Sequence, residues 1–324
     1  KNHKVFVKRR VMTILEYKKF SAFVALIVFA LSLLISPHYM LGDQEIYRRF
    51  FEILPTLSFA DGFIHYSQTL TSIEPGYYTI SWIFSRFLEK DLFISILNAI
   101  LAFYSMQLLI RWRASIYVAA SIVLTNFYFY VLFFAAERLK VSFIFLTMAL
   151  AHVNGSKFYF FSALSAISHI QILIVYMMLL FREFSIEFIR IITSGKIKKY
   201  FLIGLIAFFL TLVVMSGQII EKLSAYVVIG FDIQSVYKLL VFYFMTLVYS
   251  RNRSDVTILF IPLFIAALMI GDERINMFGY FVFLYYAIPI NKGFNMGVVL
   301  TSAYFFYKTI IFVHNIIVSG DGFF

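Results

Sequence analysis

Phe20–Ser36 reads FSAFVALIVFALSLLIS, a run without a single charge, and it follows a stretch, Lys1–Lys19, rich in lysine and arginine. A helix that crosses the hydrocarbon of a bilayer needs roughly 20 apolar residues, with about 17–25 tolerated. A basic flank, then an apolar run with no small-residue cleavage site behind it, reads as a signal anchor that stays in place rather than a removed leader. Runs of the same kind recur at 92–110, 114–134, 135–153, 157–181, 200–217, 236–250, 255–270, 275–290 and 294–317. Segment 75–89 is short and carries Arg86, so it either spans or lies in the interface. The runs are continuous rather than alternating. That favours helices over a barrel, because a helix satisfies every backbone polar group within its own segment. The expectation is an all-α polytopic integral membrane protein with about ten or eleven transmembrane helices. Residues 1–324 form a single membrane domain, without internal repeat or low-complexity linker.

Composition agrees. Of 324 residues, 62% are hydrophobic, 20% aromatic and only 14% charged, whereas a soluble domain carries about 25% charged residues. There is no cysteine, which removes disulfides, thiolate nucleophiles and cysteine metal sites. The net charge of +11 is spread as short basic runs between apolar segments. That is the arrangement of topology signals facing an anionic leaflet, not of a nucleic-acid surface. The basic N-terminus (1–19) and the basic loop 182–199 are therefore expected in the cytoplasm. Residues 37–74, 218–235, 271–274 and the C-terminus then fall outside. Counting 75–89 as a span satisfies these constraints but leaves Arg111 and Arg113 outside and Glu137-Arg138 inside. Not counting it moves Arg138 outside and makes the chain near 157–181 re-entrant.

Four polar clusters stand out. The outer loop contains Gly42, Asp43, Tyr47, Arg48, Arg49, Glu52, Asp61 and His65 and ends in Glu74-Pro75-Gly76-Tyr77. Pro and Gly break the helix there and set Glu74 at the mouth of the next apolar segment, as a functional carboxylate or as a helix cap. Glu137-Arg138-Leu139-Lys140 stands between two long apolar runs without any turn residue. An arginine at the centre of a membrane helix costs about 2.5–3.5 kcal/mol on insertion scales, so such groups face a cavity or a partner. His169 sits among small residues in Ser165-Ala166-Ile167-Ser168-His169-Ile170-Gln171, either as a functional imidazole or as a polar packing group. Gly271-Asp272-Glu273-Arg274 is a tight charged turn ahead of a segment rich in Phe and Tyr. No P-loop, HExxH or GxSxG motif occurs, so ATP-driven transport and zinc proteolysis have no support.

In this order the clusters resemble the EpsG family of Wzy-type bacterial polysaccharide polymerases. The matching pieces are Asp43 and Tyr47 in the outer loop, Glu74-Pro75-Gly76-Tyr77, Arg138, the stretch Ala166-Ile167-Ser168-His169, and Arg274 followed by Tyr280-Phe281. The resemblance covers residue 43 to about 281. Two positions depart from the family pattern: Leu139 follows Arg138 where a Gln is usual, and Gln171 replaces a small residue after the His.

The resemblance implies a GT-C-like glycosyltransferase architecture. It also implies transfer of a growing glycan from undecaprenyl diphosphate to the sugar of an incoming lipid-linked repeat unit. The implied location is the outer face of the bacterial cytoplasmic (inner) membrane, with the active site facing the periplasm or cell exterior. The partners it implies are lipid-linked glycans and membrane lipid, with a chain-length regulator and a flippase, and no nucleic acid. The acceptor hydroxyl needs a general base, for which Glu74, Asp43 and His169 are candidates. The leaving diphosphate needs fixed cations, and Arg138 and Arg274 suit it. Tyr47 and Tyr77 are candidates for contact with sugar or diphosphate. No acidic pair asks for a metal, so metal-independent, cofactor-free transfer is expected. The rival functions are a lipid-linked oligosaccharide flippase, whose expected internal repeat is missing, and an O-antigen ligase, which differs only in its acceptor.

Overall fold

A computed structural model describes residues 13–153, 155–195, 197–214, 216–217, 233–270 and 273–323. Residues 1–12 of the basic N-terminus, 218–232 of the expected outer loop, and Gly271 and Asp272 lie outside the described residues.

Among the described residues the chain is all-helical. The helices are α1 (Ile14–Ile35), α2 (Asp43–Ile53), α3 (Phe59–Leu70), α4 (Pro75–Phe84), α5 (Lys90–Arg111), α6 (Ile116–Thr125) and α7 (Phe127–Tyr130), which runs into a π-helical turn (Val131–Ala135). Then come α8 (Glu137–Leu150), α9 (Ser156–Ser168), α10 (Leu173–Ser194), α11 (Lys199–Val214), α12 (Ile233–Tyr249), α13 (Arg253–Ile270), α14 (Glu273–Ala287) and α15 (Met296–Ser319). Three helical stretches are long and apolar enough to cross a membrane: Ile14–His38, Lys90–Arg111 and Ile290–Ser319. Ile116–Thr125 and Phe127–Ala135, bent by 55° at Asn126, make a fourth if taken together. That is fewer than the runs of apolar sequence suggest, because several of those runs are broken. The run 157–181 is interrupted at His169, and 135–153 becomes a helix of 14 residues, only about 21 Å long. Segment 75–89 yields a helix of 10 residues, about 15 Å, too short to span alone.

Apolar side chains line the outside of the long helices. Leu26 is 65% exposed, Tyr307 63% and Val318 68%, a surface suited to lipid. The polar residues turn inward. Asn98 donates to Ser32 (2.9 Å) and Gln107 to Ser21 (2.8 Å), tying α5 to α1 through small residues that let the backbones approach. A reciprocal clip joins α8 to α9: Ser142 donates to the Ser165 carbonyl (2.7 Å) and Ser165 to the Ser142 carbonyl (2.9 Å).

Two expected loops are built differently. Segment 37–74, expected outside, is largely helical, with α2 and α3 folded over the protein by buried Tyr47, Phe50, Phe51, Leu54 and Tyr66. The basic segment 182–199 is mostly a continuation of α10 to Ser194. Several of its charges are paired: Arg182 with Asp255 (2.6 Å), and Glu187 with Arg190 and with Lys198 (3.3 Å). Burial raises the Glu187 carboxyl, but the Lys198 N–H and the charges of Lys198 and Arg190 outweigh it and hold the group below the usual glutamate range.

Candidate functional site

Glu74-Pro75-Gly76-Tyr77 is a compact device in which each residue has a separate task. Thr71 takes a left-handed conformation (φ 45°) and ends α3. The chain turns through Ser72 and Ile73, and α4 starts with Pro75 in its first turn, where a missing N–H costs nothing. Glu74 is the cap residue, but its side chain does not cap the helix. It points inward and is fully buried. Gly76 is required because a Cβ there would meet Ser168 Oγ at 2.4 Å and Ser168 Cα at 2.8 Å. α4 thus lies directly against the end of α9. Tyr77, also fully buried, donates to Glu137 Oε2 (2.7 Å).

The end of α9 supplies the next partners. His169 adopts an extended backbone (φ −161°, ψ 129°) before the short 3₁₀ turn Ile170–Ile172. The break turns the Ile170 N–H away from the helix, and it donates to Glu74 Oε1 (2.9 Å). His169 Nδ1 meets the same oxygen at 2.8 Å. The other oxygen, Oε2, accepts from the Ser72 hydroxyl (2.8 Å) and from Arg138 Nη1 (3.1 Å). Arg138 also donates through Nε to the Tyr47 hydroxyl (2.9 Å), and Tyr66 donates to Ser72 (3.1 Å). Burial, reinforced for Tyr66 by the charge of Glu74, pushes the Tyr47 and Tyr66 hydroxyls above their ordinary range, so both remain neutral.

The Ser142–Ser165 clip explains why Arg138 and His169 meet. α8 and α9 run in opposite directions. Arg138 lies one turn before Ser142 and His169 one turn after Ser165, so the clip brings both to the same end of the pair.

Beside this cluster lies a second one. Glu137, wholly buried, accepts from Lys90 (2.6 Å) and Tyr77 on Oε2, while its Oε1 has no partner among the described residues. Lys140 donates to the Phe133 carbonyl (2.6 Å) and Gln44 to the Phe134 carbonyl (2.7 Å). These side chains satisfy carbonyls that the π-turn releases, the condition for irregular backbone in an apolar interior. Three buried or nearly buried basic groups (Lys90, Arg138, Lys140) face two carboxylates (Glu74, Glu137).

Of the residues singled out in the sequence, Glu74, His169, Arg138, Tyr47 and Tyr77 come together. Arg274, in the first turn of α14, joins them through Gln171: its Nη1 lies 3.5 Å from Gln171 Oε1, which is 3.2 Å from His169 Nε2. Tyr280 and Phe281 are packing residues. Tyr280 accepts from Asn126 (3.0 Å), and Phe281 meets the Phe129 and Phe143 rings, each at 5.6 Å, which seats α14 so that Arg274 reaches the cluster. Asp43 does not join. It is exposed in the first turn of α2, with no hydrogen bond to the cluster among the described residues. Asp43 and Tyr47 share a face of α2, but Asp43 is the helix's first residue and stays exposed while Tyr47, a turn further in, is buried. Ser72, Tyr66 and Lys90 are site members that the sequence does not mark, and Gln171 stands out there only as a departure from a small-residue pattern. Lys90 looks like an ordinary charge at the head of an apolar run, and only its contact with Glu137 gives it meaning.

Chemically the arrangement is a buried carboxylate whose four donors fill both of its oxygens. Glu74 is therefore an orienting anion rather than a base with a lone pair to offer. It aims Arg138 and His169, and Arg138 Nη2 has no hydrogen-bond partner among the described residues. Compared with known proteins, the chain matches no family model, no curated protein and no solved structure.

Proposed function

We propose that this protein is a membrane glycosyltransferase that polymerises lipid-diphosphate-linked oligosaccharide units. What supports the reading is one observation: Arg138 and His169, from separate elements, are aimed by a single buried carboxylate, Glu74. A leaving diphosphate develops negative charge, and preorganised cations in a low-dielectric site stabilise it most effectively. In the transfer, the bond from the donor sugar's C1 to the diphosphate oxygen breaks and its electron pair goes to the diphosphate. The acceptor hydroxyl oxygen bonds to C1, and its proton is passed on to the departing diphosphate or to water. Arg138 receives the diphosphate, with Arg274 behind it. His169 is the member of the cluster able to exchange a proton. Tyr47 and Tyr77 hold the two carboxylate–cation pairs together.

The proposal includes about ten or eleven crossings in a GT-C-like arrangement, with the shorter helices crossing in pairs around the broken segments. It places the protein in the bacterial cytoplasmic membrane with the cluster toward the outer face. Undecaprenyl-diphosphate-linked glycans would be the substrates, and a flippase and a chain-length regulator the neighbours.

The test is a gel of lipid-linked and surface polysaccharide from cells lacking the gene, complemented with the wild type or with Arg138→Ala. A single repeat unit per lipid in the deletion strain, with the ladder restored by the wild type alone, is the expected result. A normal ladder without the gene overturns the reading. Intermediates trapped at the inner leaflet would instead make the protein a flippase. Polymer left unattached to its final acceptor would make it a ligase.

A further inference from the structure

His169 is 2% exposed and has an oxygen against each of its ring nitrogens. On one side Nδ1 faces Glu74 Oε1 at 2.8 Å. That carboxylate also takes the Ile170 N–H, the Ser72 hydroxyl and the Arg138 guanidinium, so it is ionised and can only accept. On the other side Nε2 faces the Gln171 side chain at 3.2 Å. The same Gln171 atom faces Arg274 Nη1 at 3.5 Å. A guanidinium offers donors only, so the atom toward it is the amide oxygen and not the amide nitrogen. Both ring nitrogens therefore look at acceptors. A neutral imidazole has one N–H and one bare nitrogen, and either tautomer would set a bare nitrogen against an oxygen lone pair in a buried place.

We propose that Gln171 is a positioning residue that, together with Glu74, holds His169 as a doubly protonated imidazolium and ties it to Arg274. The charged and titratable groups around the ring are Glu74 at the head of α4, Arg138 on α8 and Arg274 on α14, with Tyr66 of α3 behind Ser72. Among the described residues Glu74 is the one anion in contact with the ring, and it is shared with Arg138. Among the described residues in contact through the ring, the imidazolium stands with Arg138 and Arg274 beside one carboxylate, an arrangement that suits a polyanionic group such as a diphosphate. His169 then meets an incoming anion as an electrostatic partner and proton donor, and not as a base waiting for a proton. The inference rests on the contacts of the ring and stands or falls apart from the glycosyl-transfer reading.

Nitrogen NMR of the purified full-length protein, labelled with ¹⁵N in its histidine rings, reads the protonation of each nitrogen directly. The chain has six histidines. Replacing His3, His38, His65, His152 and His314 by Gln leaves His169 as the sole reporter. At pH 7 in detergent the expected spectrum has two protonated ring nitrogens and no bare one. One protonated and one bare nitrogen overturns the proposal outright and needs no further variant. Gln171→Leu keeps the size but removes the acceptor, and a bare-nitrogen signal is expected to appear. Gln171→Glu restores an acceptor and is expected to keep both protons. A merely structural Gln171 predicts the same ring signals in all three proteins, and that result would also refute the assignment.

Discussion

The contact between Arg138 and Glu74 makes a quantitative demand. Glu74 is fully buried and Arg138 has a side-chain exposure of 17%, and they meet at 3.1 Å. Breaking a buried ion pair by removing one partner costs about 3–5 kcal/mol, because the remaining charge is stranded away from water. Arg138 retains some exposure, so the lower figure applies, about 3 kcal/mol for Arg138→Met. Glu74→Gln strands Arg138 and takes a partner from His169, and about the same loss is expected. A kcal/mol moves the melting temperature of a chain of this size by about 2 °C. Each single variant should then melt about 6 °C below the wild type. The double variant leaves no stranded member of the pair. With a coupling of about 2 kcal/mol it should melt roughly 8 °C below the wild type, and not the roughly 12 °C of simple addition. Melting of the purified proteins in one detergent, followed by loss of the monodisperse size-exclusion peak, supplies all four values. Additivity within about 1 °C would mean that the two side chains do not interact, and the cluster as described would be wrong. Arg138→Lys should behave nearly like Arg138→Met, since a single ammonium cannot reproduce the forked reach to both Tyr47 and Glu74.

Other expectations follow from the same geometry. Gly76→Ala should lower stability by about 1–3 kcal/mol by overpacking; Ser168→Ala should restore only part of it, because the clash with the Ser168 Cα at 2.8 Å persists, and full restoration in melting curves would contradict the close approach of α4 and α9. Lys90→Met should reduce the amount of protein accumulating in the membrane by stranding Glu137, and Lys90→Met/Glu137→Gln should recover it; no recovery would refute the pairing. Glu187 is held below its ordinary range when folded, so its contribution is present above the unfolded-state value and is lost as pH falls through the depressed one. Glu187→Gln should accordingly flatten the acid limb of the melting-temperature profile below the usual glutamate range, and an unchanged acid limb would count against it. The proposed glycan polymerisation is expected to survive EDTA, since both carboxylates of the cluster are engaged by basic groups; loss of activity rescued by a divalent cation would overturn that.

The amino-acid sequence alone determined that the chain is helical and apolar over most of its length, because hydropathy and continuity are local properties that need no knowledge of neighbours. It also picked out Glu74, Arg138 and His169, since an ionisable group stands out wherever the background is apolar; the helix break it set at Pro75-Gly76 lies just before them, at residues 71–74, and Pro75 and Gly76 open α4. It did not show where the helices are interrupted. The run 157–181 has no proline or glycine at His169, and the break there is stabilised by the Ile170 N–H reaching Glu74, a residue 96 positions away. The π-turn before Glu137 depends in the same way on Lys140 and on Gln44 from α2 to take its carbonyls. Nor did local sequence separate Tyr47 from Asp43, which share a face of α2 one turn apart, because how far along that face the packing extends depends on what lies beneath it. Gln171 departs from a small-residue pattern in the sequence, and only the packing of α14 sets Arg274 against it. Charge and hydropathy are written in single residues, whereas the pairing of charges is a property of distances that only the packed helices define.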